Sequence, residues 1–139
     1  MYLLDTNVIS ELRKAGTSRM DRNVRSWAKS VSASTLYLSA ISILELEIGI
    51  LLLERRDRSP GAVLRAWMDE HVLPTFQGRI LAVDTPVALR GARLHVPSPL
   101  SDRDALIAAT AMVHGMSVVT RNVSDFEPTG VAVVNPWIA

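Results

Sequence analysis

Four acidic residues fall where carboxylates could do chemistry. Asp5 follows the apolar run Tyr2-Leu3-Leu4, Glu45 ends Ser42-Ile43-Leu44-Glu45, Asp104 ends Ser101-Asp102-Arg103-Asp104, and Asp125 closes Thr120-Arg121-Asn122-Val123-Ser124-Asp125. Each also has a plain structural reading. Asp5 before Thr6-Asn7 makes a good helix cap. Glu45 and Asp104 fit the S/T-x-x-D/E pattern, in which an acid one turn into a helix reaches back to its start. The 120–125 segment reads as an ordinary polar loop that offers a hydroxyl, an amide and a carboxylate. The other reading is a shared site, in which strand ends and first helical turns bring the acids to one edge of a sheet. Three carboxylates in a half-buried crevice repel by about 4 kcal/mol per pair at roughly 4 Å and an effective dielectric of about 20, so they need a countercharge. Lys14 and Lys29 are remote in sequence, and of the arginines only Arg103 and Arg121 adjoin these motifs. A divalent cation is then the economical partner, and an all-oxygen donor set suits Mg²⁺ or Mn²⁺. Such an ion could activate a water and neutralise a phosphodiester.

The elements that must position these residues alternate along the chain. Tyr2–Leu4, Leu36–Leu38, Ile80–Val83, Ser117–Val119 and Val131–Val134 are short apolar runs without polar alternation, as expected of strands buried on both faces. Helices are expected over Asn7–Lys14, Asp21–Ser32, Ser42–Arg56, Pro60–Phe76, Pro86–His95 and Asp102–Gly115, with Ser59-Pro60 as a start signal and Gly115 as a stop. Strand and helix in alternation predict an α/β fold with a mostly parallel sheet covered on both faces. In such sheets ligands bind beyond the carboxyl ends of the strands, which is where Asp5 lies. Pro97 and Pro99 mark 95–102 as the loosest connection.

Composition narrows the function classes. The 139 residues are 48% apolar and 21% charged, which predicts one folded domain spanning 1–139 rather than a disordered tail. There is no Cys, so disulfides, zinc-thiolate clusters and thiol nucleophiles are excluded. A net charge of +1 does not by itself announce a nucleic-acid binder, although thirteen of the fifteen cations are Arg, the side chain suited to phosphate. The amino terminus lacks a basic region before its first apolar run, and the longest apolar stretch, Ile41–Leu53, is interrupted by Glu45 and Glu47. The expectation is a soluble, cytoplasmic protein with no membrane partner. The helix from Ser42 to Leu53 is apolar nearly all round, so it is either a buried central helix or a helix covered on one side by another chain.

Competing chemistries fit less well. His71, His95 and His114 share no metal-ligand spacing and read as surface or packing residues. Asp5-Thr6-Asn7 lacks the second Asp of a D-x-D phosphatase, and no Lys follows Lys29 to serve a receiver domain.

Leu3-Leu4-Asp5-Thr6-Asn7-Val8-Ile9-Ser10-Glu11, Leu38-Ser39 through Glu45-Leu46 and Gly49, Asp104-Ala105-Leu106-Ile107-Ala108-Ala109-Thr110-Ala111, Thr120-Arg121-Asn122 through Asp125-Phe126, and the final Asn135-Pro136-Trp137 together resemble the PIN domain, in particular the VapC and FitB-like toxins of type II toxin-antitoxin systems. The resemblance spans essentially the whole chain, with four motifs in order. It implies a three-layer α/β/α sandwich with a five-stranded parallel sheet and a Mg²⁺- or Mn²⁺-dependent endoribonuclease. RNA would be the substrate, a VapB/FitA-like antitoxin the inhibitor, and a homodimer the expected assembly. The family's catalytic, metal-binding acids match at Asp5, Glu45 and Asp104, and its accessory hydroxyls at Thr6 and Thr120. The fourth acid often stands where this chain has Asn122, so Asp125 is the expected substitute. A rival reading within the same fold is a weakly active or inactive binding module that acts mainly through its antitoxin and DNA-binding complex.

Overall fold

A computed structural model describes residues 1–138. Five parallel strands form one sheet in the order β3-β2-β1-β4-β5, with β1 Tyr2–Leu4, β2 Leu36–Ser39, β3 Ile80–Leu81, β4 Ser117–Val119 and β5 Val133–Val134. Each strand is short and greasy because both of its faces are covered. Leu3 and Leu4 are both fully buried, yet they point to opposite sides: Leu3 packs with Val118, Ile107, Ala108 and Phe126, and Leu4 with Val119, Leu38, Val8 and Ile50. Burying such a side chain contributes about 1.5–3 kcal/mol, so the two core layers on either side of β1 and β4 hold the architecture together.

The first layer is supplied by α1 (Thr6–Leu12), α3 (Ala40–Arg56) and the segment after α4 (Arg58–Trp67). The second rests on α7 (Asp102–His114), whose Ala105, Ala108, Ala109 and Ala111 are fully buried. Small side chains let this helix lie close to the sheet. It ends at Gly115, which takes φ 68°, a left-handed conformation that other residues adopt at a cost. Outside these layers, α2 (Arg22–Ser30) sets Trp27 edge-on to Tyr2, with ring centroids 5.4 Å apart. The remaining helices are α5 (Leu73–Thr75), α6 (Thr85–Leu94) and α8 (Val123–Phe126).

Three expectations are corrected in detail. The strand expected over Ile80–Val83 pairs only through Leu81, against Leu38 and Ser39, and Ala82 and Val83 are exposed. Asp84 then caps α6 by accepting a hydrogen bond from the Val87 amide. The last strand is likewise shorter than the expected Val131–Val134, because the turn at Thr129-Gly130 delays pairing until Val133. The long helix expected from Pro60 to Phe76 starts two residues earlier and does not run uniformly: Met68–Val72 is a π-helical turn in which the Leu73 amide donates to the Met68 carbonyl. Pro74 accounts for it. It has no N–H to give and its ring would press on the carbonyl four residues back, a conflict that widening the helix relieves.

The apolar helix resolves into two sides. Leu46 and Ile50 of α3 face the core, whereas Leu44, Leu51 and Leu52 are 46%, 53% and 63% exposed, next to an α4 whose Val63 is 61% exposed. The helix is therefore half core and half uncovered apolar surface. Arg65 joins α4 to α3 through paired contacts to Glu47 at 2.7 and 2.8 Å and to Glu54 at 2.9 Å.

Candidate active site

The central strands and α7 define one edge. Asp5 directly follows β1, α3 begins directly after β2, Thr120 directly follows β4, and α7, running back toward the start of β4, has its first turn at the same edge. The result is a crevice of about 730 Å³ lined by Asp5, Thr6, Asn7, Glu45, Ser101 to Asp104, Asn122 and Asp125. All four candidate acids, brought from four separate segments, line it.

Asp5 is both a cap and a member of this crevice, so its two readings were never alternatives. Its Oδ1 accepts from the Thr6 amide at 2.9 Å, and its Oδ2 accepts from the Thr120 hydroxyl at 2.8 Å and from the Asn7 amide group at 3.2 Å. Burial is the main influence on its carboxyl and pushes the pKa up; the hydrogen bonds from Thr120 and Thr6 pull the other way, and Glu45 adds to the rise.

Glu45 is not a cap. Its helix begins at Ala40, and Ser39 caps it by accepting from the Ile41 amide at 3.0 Å, which leaves the Ser42-x-x-Glu45 pattern inside the helix. Freed from capping, Glu45 accepts from the Thr6 hydroxyl at 2.8 Å. Arg103 approaches its other oxygen at 3.7 Å, so the site carries a partial internal countercharge. Half-exposed and long, this pair is worth at most about 1 kcal/mol and cannot balance the remaining acids.

Asp104 stands one turn into α7. Ser101 caps the helix by accepting from the Asp104 amide at a long 3.5 Å, and among the described residues the Asp104 carboxylate accepts no hydrogen bond from the Ser101 amide in return. Burial, then the charges of Asp125, Asp5 and Glu45, raise its pKa to about 6. Asp104 therefore feels the other three acids in addition to its own burial.

Thr120 is fully buried and, besides donating to Asp5, accepts from the Asn122 amide at 3.0 Å. Asn122 is the residue before α8, and its carbonyl accepts from the Asp125 amide at 3.1 Å. Both flank the crevice, Asp125 with charge and Asn122 without. Asn7 is the member that the sequence did not single out: it donates to Asp5 and, at 3.3 Å, to Thr120, while its carbonyl oxygen accepts from the Arg121 amide at 3.1 Å. Its position two residues after a strand-end Asp was the available signal. Of the three histidines, His95 closes the proline-rich connection, accepting from the Leu100 amide at 3.0 Å with Nε2 3.4 Å from Asp102.

Among the described residues no three acidic or histidine side chains stand close enough together to enclose an ion by themselves. The donor set nonetheless suits a hard cation that keeps part of its water shell: every candidate donor is oxygen, the crevice has room for water, and burial together with the charges of Asp125, Asp5 and Glu45 disfavours an unpartnered carboxylate at Asp104.

Residues 2–128 match the PIN domain family. The chain is 39% identical over 142 residues to the VapC ribonuclease Y4jK of Sinorhizobium fredii, covering 99% of this chain and 98% of that one. It is 40% identical over 143 residues to the toxin FitB of Neisseria gonorrhoeae, covering 99% of each. Among solved structures, the FitAB complex bound to an IR36 DNA fragment contains a chain that superposes with a TM-score of 0.88 at 38% identity, over 100% of this chain and 97% of that one.

Proposed function

The chain belongs to the PIN-domain family, and on that premise we propose that it is the endoribonuclease toxin of a type II toxin-antitoxin system, dependent on Mg²⁺ or Mn²⁺ and neutralised by a VapB/FitA-like antitoxin. The observation that carries the reading is the convergence of Asp5, Glu45, Asp104 and Asp125 on one crevice at the carboxyl edge of the sheet. Relatives named as ribonuclease and toxin, and a solved neighbour in which FitAB is bound to a DNA fragment, support it.

In this reading Asp5, Glu45, Asp104 and Asp125 hold the cation. When bound, a divalent ion supplies a water of lowered pKa and neutralises charge on the phosphodiester. The chain's own residues do the positioning. Thr120, Asn7 and the Thr6 amide lock the Asp5 carboxylate, while the Thr6 hydroxyl locks Glu45, so two donors are fixed before any ligand arrives. Asp104 accepts no hydrogen bond from the described residues, which leaves both of its oxygens for the incoming ligand. Asn122 brings a neutral amide that suits the orientation of water rather than the holding of charge. The uncovered apolar residues of α3 and α4 support a protein partner, a second copy of this chain or the antitoxin.

The test is cleavage of total RNA by purified protein with Mg²⁺, with Mn²⁺ and with chelator. Metal-dependent fragments that disappear in Asp5→Asn support the proposal. Equal cleavage in chelator would remove the metal from it, and absence of cleavage with either metal would leave the binding-module reading in its place.

A further inference from the structure

An RNA strand brings one negative charge per nucleotide to a crevice already edged by Asp5, Glu45, Asp102, Asp104 and Asp125. A cation among the acids addresses the phosphate being cleaved and leaves the neighbouring phosphates facing carboxylates. Something outside the acid cluster must hold the flanking backbone. Arg103 is a poor candidate, because its guanidinium is drawn toward Glu45 at 3.7 Å.

Arg121 stands outside the acid cluster: its neighbour Asn122 lines the crevice and Arg121 itself does not. It follows Thr120 directly, and its amide donates to Asn7, whose own amide group donates to Asp5, so two hydrogen bonds of 3.1 and 3.2 Å fix its backbone relative to that carboxylate. Its guanidinium lies over the Trp137 ring, 5.3 Å from the centroid, and among the described residues it forms no ion pair. The ring is itself held in place: the Trp137 amide donates to Asn135 Oδ1 at 3.0 Å, its carbonyl accepts from Asn23 Nδ2 at 2.7 Å, and its side chain packs against the core. A guanidinium braced on an aromatic ring loses little freedom when it binds, and its N–H donors remain available for a phosphate.

We propose that Arg121, braced on Trp137, anchors an RNA phosphate next to the scissile one and so sets the register of the strand across the acid crevice; this rests on the ribonuclease reading above. The simpler alternative is that the pair only pins the carboxy-terminal segment to the end of β4. The two differ in what salt does. An anchored phosphate releases counterions, and removing it lowers the dependence of log affinity on log salt by about 0.7 for a single strand. A structural pin has no such effect.

The experiment uses the shortest oligoribonucleotide that the wild type cleaves. Arg121→Ala should raise KM about fivefold to tenfold with kcat within about twofold. Arg121→Lys should recover most of the loss by keeping the charge. In an Asp104→Asn background, which separates binding from cleavage, fluorescence anisotropy against salt should show the flattened slope for Arg121→Ala and the full slope for Arg121→Lys. If the wild type cleaves but Arg121→Ala keeps its KM and salt slope, or loses activity only in step with its melting temperature, the anchor is refuted while the ribonuclease stands. If the wild type cleaves no RNA, both readings fall.

Discussion

The hydroxyl of Thr120 donates a 2.8 Å hydrogen bond to Asp5 across 115 residues of sequence. It joins the ends of the neighbouring strands β1 and β4, and in doing so it turns a residue that caps a helix into a carboxylate of fixed orientation. The same local logic recurs with Thr6 and Glu45. The site is thus organised by hydroxyls that aim acids.

The first prediction concerns pH. The Asp104 carboxyl sits near 6 in the folded protein against an ordinary value of 3.8, so the folded state holds this proton more tightly than the unfolded state does. The contribution of Asp104 to stability is fully present below about pH 4 and is lost as pH rises through about 6. Asp104→Asn, which cannot ionise, should match the wild type near pH 4 and exceed it above pH 6.5 by about 1 kcal/mol, a value reduced for water and salt around a part-exposed group. Denaturant melts of the metal-free proteins at both pH values check it. Millimolar Mg²⁺ should reverse the order at neutral pH by stabilising only the wild type.

A second prediction separates Asn122 from Asp125, which both line the crevice. Charge matters more than a neutral oxygen for retaining a hard cation. Asp125→Asn should weaken Mg²⁺ binding about tenfold, Asn122→Ala should weaken it less, and Asn122→Asp should be tolerated or tighten the site. Calorimetric titration decides. Unchanged affinity in Asp125→Asn with a loss in Asn122→Ala would give the role to the amide.

Helix packing supplies a third. A Cβ built on Gly61 would stand 2.6 Å from the Glu54 Cα, and that backbone atom cannot swing aside as a side-chain tip could. Gly61→Ala should therefore separate α3 from α4 and cost about 1–3 kcal/mol despite alanine's better helix propensity. Gly49, with nothing within 4 Å of its would-be Cβ, is the control, and Gly49→Ala should be neutral or stabilising in the same melt.

Assembly gives a fourth. Leu44, Leu51, Leu52 and Val63 form the uncovered apolar surface of α3 and α4. Light scattering should find the purified wild type as a dimer, and Leu51→Asp with Leu52→Asp should yield a monomer whose circular dichroism matches that of the wild type and whose melting no longer depends on protein concentration. A wild type that stays monomeric without antitoxin would remove self-association and leave that surface to the antitoxin.

Much of this was legible in the sequence, and the exceptions have physical causes. β1, β2 and β4 are legible because strands buried on both faces carry serine only at their ends and no charged residue to break the run. β3 and β5 are shorter than expected because apolar residues run on beyond the ladder at the end of β3 and lead into it at the start of β5, where only neighbouring strands decide whether pairing occurs. The π turn at Met68–Val72 depended on Pro74 disturbing a carbonyl one turn earlier, a conflict that periodicity does not display. Ser42 and Glu45 have capping-box spacing, but the cap is set by where β2 ends, and it ends at Ser39. That Asp5, Glu45 and Asp104 meet at one edge of the sheet is legible from strand ends, helix starts and the family resemblance. The hydrogen bonds of Asn7 are not, because its partner Thr120 is 113 residues away and only sheet topology brings them together.

The most direct test of the central claim is a time course of RNA cleavage by Asp104→Asn beside the wild type, in Mg²⁺ and in chelator, on preparations whose circular dichroism is the same. The account predicts cleavage by the wild type in Mg²⁺ alone and a rate lower by at least about 10³-fold in the variant, since the substitution keeps the shape of the side chain and removes the charge that helps to hold the cation. Cleavage by Asp104→Asn at the wild-type rate would contradict it and leave the acid crevice without a part in cleavage.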